Sequence, residues 1–303
     1  MKEDINLLTG ENSAVQNIRR VSITRWVSRA KDAKLNSGLL LIPPIIFIVI
    51  FLGYPLINIF VQSIYNGKLT GEYYARFFSD SLYIRVLLLT IKVGAAVTLT
   101  CLLLGYPVAY TMNLVSKHTR GFILIAIMIP FWTSLLVRTY AWMVLLQTQG
   151  VINQVLMGLG VIHEPLKLIY NTTGVIIGMT HVLLPYMILC LYSAMQGIDK
   201  NLLAAGQNLG ARPFQVFYKV FLPLSFPGIA SGSILVFIMG IGYFITPSLL
   251  GGQKDSMISQ LIQIQVGDLL NWGFASAIAF VLLAVTLLLL MISKSFLRLD
   301  KLW

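Results

Sequence analysis

NLLAAGQNLGARPFQVFYKVFLPLSFPGI, residues 201–229, is a stretch of small, polar and aromatic residues inside an otherwise strongly apolar chain. Asp199, just before it, is a residue type that caps helix N-termini, which predicts a helix that begins at Lys200. Gly210 suits the left-handed position that commonly ends a helix, and Pro213 suits the first turn of the next one. The stretch therefore predicts two short helices at an angle, joined by a glycine hinge.

The two predicted helices present different surfaces. The second has aromatic residues at i, i+3, i+4 and i+7, which predict one apolar face: Phe214, Phe217, Tyr218 and Phe221. The first carries the small run Ala204, Ala205 and Gly206, which lets another surface approach its backbone closely. The segment is either an interfacial helix pair that packs on its own bundle, or a docking element that inserts into a groove of a soluble partner.

The composition places most of the chain in lipid. Of its 303 residues, 57% are hydrophobic and only 11% are charged, whereas soluble domains carry roughly 25% charged residues. The net charge of +11 is interpreted by its position along a membrane chain, and no nucleic-acid partner is expected. Cys101 and Cys190 lie in apolar runs and are interpreted as packing residues, with neither a disulfide framework nor metal-ligand spacing.

Six stretches are long and apolar enough to cross a bilayer, which takes about 20 residues per helix. They are residues 38–64, 82–115, 122–147, 174–195, 222–250 and 274–296. None of them contains Asp or Glu, as expected where an unpaired carboxylate in hydrocarbon is unfavourable. The sequence therefore predicts an all-α integral membrane protein with six transmembrane helices, several of them containing proline.

Basic residues predict the orientation of these spans. The side that holds residues 1–36, 116–121, 197–221 and the C-terminal end carries fifteen Lys and Arg, whereas the connections on the other side carry four. By the positive-inside rule, both termini and residues 197–221, between the fourth and fifth helices, face the cytosol. Residues 1–36 have no apolar region that ends in a cleavage site and are predicted to be a cytosolic tail, followed by a transmembrane domain at 37–303.

AGQNLGA at 205–211, with Phe217, Leu-Pro at 222–223 and Pro-Gly-Ile at 227–229, resembles the EAA loop of ABC-importer permeases. In that family the loop forms a coupling helix that sits in a cleft of the ATPase subunit. The resemblance assigns ATPase coupling to Ala204, Ala205, Gly206, Leu209, Gly210, Ala211, Phe217 and Pro223. This chain departs from the family pattern at one of these positions, since the family usually has Glu where this chain has Ala204.

Further motifs resemble the spermidine/putrescine-type permeases and cover roughly residues 40–295. They are LGYP at 104–107, PFWTS at 130–134, RTYAW at 138–142, GVIN at 150–153, LGVI at 159–162 and LLGG at 249–252. The resemblance implies the fold of a type I ABC importer permease and a multi-pass position in a bacterial inner membrane. It also implies three kinds of partner: a second permease subunit, two ABC ATPase subunits and an external, periplasmic solute-binding protein.

The sequence lacks the phosphate-cradling motif G-x-x-x-x-G-K-[ST], so ATP is expected to be bound and hydrolysed by a partner subunit. The chain is therefore predicted to be a transport subunit rather than an enzyme, without a cofactor or metal of its own. A secondary transporter is the alternative, but that class expects membrane carboxylates for ion coupling. A membrane enzyme needs His and carboxylate side chains that face one another, whereas His118, His163 and His181 are scattered along the chain.

The resemblance implies a polyamine as the solute. Polyamine permeases of this branch tend to carry an acidic residue just before the LLGG position, where this chain has Ser248. Without a membrane carboxylate, a polyamine path would use aromatic faces through cation–π contacts. The candidate path residues are Trp132, Thr133, Arg138, Tyr140, Trp142, Tyr243 and Ser248. The alternative solute is zwitterionic or anionic, such as an opine or an amino-acid derivative.

Two ionisable residues within the spans have alternative interpretations. Arg138 is either a path residue or a residue whose guanidinium pairs with backbone carbonyls or reaches the membrane interface. His181, near Pro185, is interpreted as a hydrogen-bonded core residue rather than a proton relay.

Overall fold

The computed structural model describes residues 37–297, with the side chains of residues 42–199 and 201–293. The predicted tail at 1–36 and the basic side chains of the C-terminal end lie outside this part. Contacts divide the chain into two units, Met1–Ile59 and Phe60–Trp303. In the first unit, helix α1 (Ser37–Ile48) leads through a π-helical turn, Val49–Gly53, into α2 (Tyr54–Ile64), and the described side chains are almost all exposed.

The second unit begins within α2 and, in its described part, contains helices and no strand. Its further helices are α3 (Glu72–Ser79), α4 (Ser81–Leu114), α5 (Lys117–Trp132), α6 (Leu135–Leu146), α7 (Val151–Gly158), α8 (Thr172–Gln196), α9 (Lys200–Asn208), α10 (Pro213–Val216), α11 (Leu222–Ile241), α12 (Ile245–Leu250), α13 (Ile258–Gly267) and α14 (Trp272–Leu297). A second π-helical turn, Phe217–Phe221, joins α10 to α11.

Five helical stretches of the described chain are long and apolar enough to cross a membrane. They are Ile42–Ile64, Ser81–Leu114, Thr172–Gln196, Pro213–Ile241 and Trp272–Ser293. A sixth is present if a bent helix pair, at the third predicted span, is counted as one crossing. The prediction of an all-α membrane protein is confirmed, with five to six apolar helices in the described part.

The third predicted span, residues 122–147, is not one continuous helix but is interrupted at 133–134. Lys117–Trp132 and Leu135–Gly158 are bent by 98° relative to each other. Pro130, in the last turn of α5, has no N–H for the helical ladder. Its carbonyl accepts both the backbone N–H of Thr133, at 3.3 Å, and the Thr133 hydroxyl, at 2.9 Å. α5 therefore ends here, and α6 begins in a new direction.

The fifth predicted span, residues 222–250, is interrupted as well. α11 ends at Ile241, and residues 242–244 separate it from α12. In a continuous helix the ring of Pro247 would clash with the carbonyl of Tyr243 and leave it without a helical donor. That carbonyl instead accepts the hydroxyl of Ser259, at 2.5 Å. The interruption thus places Tyr243 in irregular backbone between two helices.

Helices α4, α8 and α11 form the packed core of the second unit. Their fully buried apolar side chains include Val97, Cys101, Met187, Leu191 and Val236. α12 packs closely on α8 at Gly178, where a Cβ atom would stand 2.4 Å from Leu250 Cδ1 and 2.7 Å from Thr246 Cγ2. α12 also packs against α6. The two interrupted spans therefore meet each other beside α8.

Candidate functional site

Residues 197–221, here called the hinge segment, have the local geometry that the sequence predicts. The side chain of Asp199 caps α9 by accepting the backbone N–H of Asn201, at 2.9 Å. After α9, Gly210 has a φ of +81°, in the left-handed region, and donates its N–H to the Gln207 carbonyl, at 2.9 Å. The predicted N-cap and the glycine hinge are both confirmed.

The second predicted helix of the hinge segment is not a separate short helix. α10 begins at Pro213, as predicted, and the Gln215 side chain accepts the backbone N–H of Arg212, at 2.9 Å. The helix then continues through the π-helical turn into α11, so that Pro213–Ile241 is one stretch of 29 residues. The part of the hinge segment that begins at Pro213 is therefore continuous with a membrane helix, without an intervening loop.

The aromatic residues of this helix do not share one apolar face, because the π-helical turn shifts their register. Phe221 is buried and Phe217 half-buried, and their rings meet the Tyr110 ring of α4 edge to face, at centroid distances of 5.0 and 5.2 Å. Phe214 and Tyr218 are instead 75% and 61% exposed, with their rings stacked 6.5 Å apart. The inner pair anchors the hinge segment on α4, and the outer pair leaves an exposed aromatic surface.

The residues assigned to coupling by resemblance divide between surface and interior. Exposed are Ala204, Ala205, Leu209, Gly210 and Pro223, and partly buried are Gly206, Ala211 and Phe217. Leu209 is 89% exposed, which is unfavourable for so apolar a side chain unless another surface covers it. A cavity of about 380 Å³ is lined by Tyr110 and Asn113 of α4 and by residues of the hinge segment.

A second group of candidate residues meets where the two interrupted spans approach α8. It consists of Arg138, Trp142, His181 and Tyr243, and is here called the polar cluster. Arg138 lies in the first turn of α6, just after one interruption, and Tyr243 lies within the other. Arg138 interacts electrostatically with both His181 and Tyr243. The rings of Trp142 and His181 meet edge to face, with centroids 5.5 Å apart.

Two buried nitrogen atoms of the polar cluster have no hydrogen-bond partner: Arg138 Nε and His181 Nδ1. Such groups are rare in native proteins, since an unpaired buried donor or acceptor is unfavourable. The interpretation of His181 as a hydrogen-bonded core residue is therefore wrong at this nitrogen. The pairing of Arg138 with backbone carbonyls is likewise absent at Nε, although that atom is buried.

The remaining candidate path residues lie on the surface of the single chain. Trp132 is 87% exposed and Tyr140 is 53% exposed. Thr133 and Ser248 are also exposed, and their hydroxyls donate to carbonyls of their own helices, at 2.9 and 2.8 Å. The structure thus brings Arg138, Trp142 and Tyr243 into the polar cluster, whereas the side chains of these four residues are exposed on the single chain.

The candidate path residues predicted from the sequence did not include His181 and Tyr186, which belong to this region. Tyr186 packs edge to face on Phe131, at a centroid distance of 5.0 Å, and interacts electrostatically with Tyr243. The available signal was Pro185, which lies beside Tyr186 and four residues after His181. A proline in a helix removes the donor to the carbonyl four residues earlier, so polar groups around it are candidates for a ligand-facing position.

The described part of the chain offers no metal centre. Within residues 37–297, no three His, Cys, Asp or Glu side chains stand close enough together to hold an ion. The three histidines are on α5, in the connection after α7 and on α8.

Relatives with known roles match most of the chain. Residues 101–299 match the family described as the binding-protein-dependent transport system inner membrane component. The chain is 38% identical over 223 residues to the spermidine/putrescine transport system permease protein PotB of Salmonella typhimurium strain SL1344, which covers 74% of this chain and 77% of that protein. PotB of Escherichia coli K12 is 37% identical over 213 residues, covering 70% of this chain and 78% of that protein.

A solved structure agrees with the fold. A chain of a bacterial alginate ABC transporter, in complex with an alginate pentasaccharide-bound periplasmic protein, aligns with a TM-score of 0.72. The alignment covers 88% of this chain and 96% of that chain at 20% identity, so it supports the fold alone. The chain therefore belongs to the family of inner-membrane components of binding-protein-dependent transport systems, as a multi-pass ABC importer permease related to PotB.

Proposed function

We propose that this chain is one of two permease subunits of an ATP-driven importer and forms half of the path for a small solute. A second permease completes the path, two ABC ATPase subunits dock on the cytosolic side, and an external binding protein delivers the solute. The observation that carries this proposal is the hinge segment. It is capped at Asp199, hinged at Gly210 and continuous with a membrane helix, and its exposed side chains include the apolar Leu209, Phe214 and Tyr218.

The proposed topology has six spans with both termini in the cytosol. The bent pair α5 and α6 supplies the third crossing, and the five long apolar helices supply the others. The fifteen Lys and Arg on the side of the hinge segment, against four on the other side, support this orientation. The hinge segment then lies in the cytosol, where an ATPase can reach it.

In the proposed mechanism, closure of the ATPases around ATP displaces α9. Leu209, Phe214 and Tyr218 supply apolar surface to a cleft in the ATPase, and the small side chains of Ala204 and Ala205 allow close approach. The displacement passes through the π-helical turn into α11. The bundle then switches between inward-facing and outward-facing states as a rigid body.

ATP binding and hydrolysis belong to the ATPase subunits in this proposal. The chain contributes no phosphate-cradling loop, because its sequence has no G-x-x-x-x-G-K-[ST] motif. It acts without a cofactor of its own. It transmits the displacement from the ATPases to the bundle, and it forms half of the solute path.

We propose a small aliphatic amine of the polyamine type as the solute, because the PotB relatives are named as spermidine/putrescine permeases. A path between two permease subunits is lined by residues that are exposed on each subunit alone. Trp132 and Tyr140 meet that condition, and aromatic faces attract ammonium groups. A second candidate, a zwitterionic or anionic solute, is favoured by Arg138, whose Nε is buried without a partner.

Co-purification tests the role of the hinge segment. The chain is expressed with its second permease and ATPase and extracted in mild detergent, as wild type, as Gly210→Leu and as Gly160→Leu. Gly160 is a matched control, since it also has a positive φ, +68°, and open space around it. Both leucines carry the same backbone strain, roughly 1–2 kcal/mol, but only one lies in the hinge segment.

The proposal predicts that Gly210→Leu loses most of the ATPase and of ATP-dependent uptake, while Gly160→Leu retains both. Equal retention of the ATPase by the two variants would show that the hinge segment is not the docking element. Loss of both variants from the membrane would place the effect in folding, which a thermal unfolding measurement of each purified variant detects.

A further inference from the structure

Arg138 carries a permanent charge at membrane depth, and the described chain supplies no anion for it. None of the predicted spans contains Asp or Glu. Arg138 forms no ion pair within residues 37–297, and its buried Nε has no hydrogen-bond partner. Asp255, in the connection after α12, accepts the Thr172 hydroxyl and forms no ion pair with Arg138. The counter-charge of Arg138 must therefore come from outside the described chain.

The surroundings of Arg138 are those of a binding site rather than of a packed core. Two interrupted helices meet there, and transporters build solute sites at such interruptions because the irregular backbone lines a cavity. His181 Nδ1 is a second buried polar atom without a partner in the same place. Two unpartnered nitrogen atoms, on α6 and α8, are thus left for one ligand.

The chemistry of these groups selects an anion. A guanidinium presents its N–H donors in a planar fork that matches a carboxylate. A primary ammonium group, in contrast, is repelled by the guanidinium, and the predicted spans hold no Asp or Glu that could bind it. Tyr243 interacts with the charged group and the Trp142 ring packs on His181, so both rings are available to an alkyl-ammonium chain bound beside the cluster.

We propose that the polar cluster binds the carboxylate of the transported solute, so that the solute is an aliphatic amine with a carboxylate at one end. Arg138 binds the carboxylate, and His181 Nδ1 supplies a further polar contact. This inference rests on the proposed importer function and favours the second solute candidate given there, a zwitterion, over a polyamine. The polar cluster then distinguishes this chain from permeases whose path accepts a solute with ammonium groups at both ends.

Uptake of chain-matched solutes tests the inference. The complete importer, with its second permease, ATPases and binding protein, is reconstituted in lipid vesicles. ATP-dependent uptake is measured for putrescine and 4-aminobutyrate, and for cadaverine and 5-aminopentanoate. The two solutes of each pair have the same number of carbon atoms, and one terminal aminomethyl group is replaced by a carboxylate. The variants are Arg138→Gln, Arg138→Lys and the control Arg85→Gln, since Arg85 is exposed and bonded to Ser81, at 3.1 Å.

The inference predicts uptake of the amino acids in preference to the diamines. Arg138→Gln raises the KM for the amino acids roughly tenfold to a hundredfold, as expected for loss of hydrogen bonds to a charged group. Arg138→Lys keeps the charge but not the planar fork, so its KM for the amino acids lies between those of the wild type and Arg138→Gln. Arg85→Gln has the KM of the wild type. The permease and ATPase subunits co-purify with all three variants.

Three results would overturn the inference, and they differ in whether the importer function is retained. Diamine uptake with a KM unchanged in Arg138→Gln keeps the importer but removes the carboxylate site. Loss of the second permease from Arg138→Gln, measured by co-purification, shows that Arg138 serves the assembly of the two permeases rather than the binding of the solute. Absence of ATP-dependent uptake for every solute, with all subunits assembled, removes the importer function together with the inference.

Discussion

The hinge segment and the polar cluster differ in how their structure is encoded. The hinge segment depends on local signals: an Asp cap, a left-handed glycine and a proline at a helix start, all within fifteen residues. The polar cluster joins side chains from α6, α8 and the chain between α11 and α12, which are up to about a hundred residues apart. In the proposed function, one region is a surface for another protein, and the other holds a charge that no described side chain compensates. The two should therefore fail separately when they are mutated.

The largest effect is expected where a substitution separates the helices of the polar cluster. Gly178→Val places a side chain against Leu250 and Thr246, which stand 2.4 and 2.7 Å from a Cβ at this position. Such overpacking destabilises by about 1–3 kcal/mol and moves α12 away from α8. Uptake should fall more than tenfold while the ATPase still co-purifies. Gly158→Val, with nothing within 4 Å, is the control. Loss of the ATPase together with uptake would mean that the two regions are not separable.

The second effect concerns the exposed surface of the hinge segment. Phe214→Ser removes a ring that is 75% exposed, so it should leave thermal unfolding of the permease unchanged and lower ATPase retention several-fold. Phe78→Ser, on α3 and 62% exposed, is the matched control. Retention is measured by quantitative co-purification at several detergent concentrations. Equal retention by both variants would argue that Phe214 faces solvent or lipid alone.

A smaller effect is expected from a new carboxylate near the polar cluster. Ser248→Asp adds a negative charge on α12, which packs against the helix that carries Arg138. Partial neutralisation of Arg138 should raise the KM for 4-aminobutyrate about threefold and lower that for putrescine. The control is Ser256→Asp, at a hydroxyl that also bonds to a backbone carbonyl, that of Gln253, at 3.4 Å. An unchanged ratio of the two KM values would separate Ser248 from the path.

The smallest effect is expected at the position where this chain departs from the family pattern. Ala204 is exposed, so Ala204→Glu should be accommodated without loss of assembly. A new polar contact with the ATPase should change uptake by less than about twofold, in the direction of stronger coupling. Co-purification and ATP-dependent uptake measure the two outcomes. Failure of the variant to assemble would show that this residue is not at the position of the family Glu.

The sequence predicts those features that depend on neighbouring residues. The cap at Asp199, the left-handed Gly210 and the helix start at Pro213 are each set by one side chain or one φ angle, and all three appear in the structure. Hydropathy likewise locates the long helices, because roughly 20 apolar residues are needed for each crossing.

Hydropathy did not predict the interruptions at 133–134 and 242–244, because an average over 20 residues is insensitive to a break of two or three. Pro130 and Pro247 gave a signal, yet other prolines, such as Pro107 and Pro185, lie within helices that continue. The split of the aromatic residues of α10 depends on a π-helical turn, which a spacing of 3.6 residues does not reveal. The unpaired nitrogens of Arg138 and His181 depend on packing between helices that are distant in sequence, so a local sequence pattern does not predict them.

Uptake with and without ATP, by vesicles that contain this chain alone or the complete importer, tests the central claim most directly. The account predicts solute uptake only when the second permease, the ATPases, the binding protein and ATP are all present, and none by the chain alone. Uptake by the chain alone, without ATP and driven by a solute or ion gradient, would contradict it and establish a secondary transporter instead.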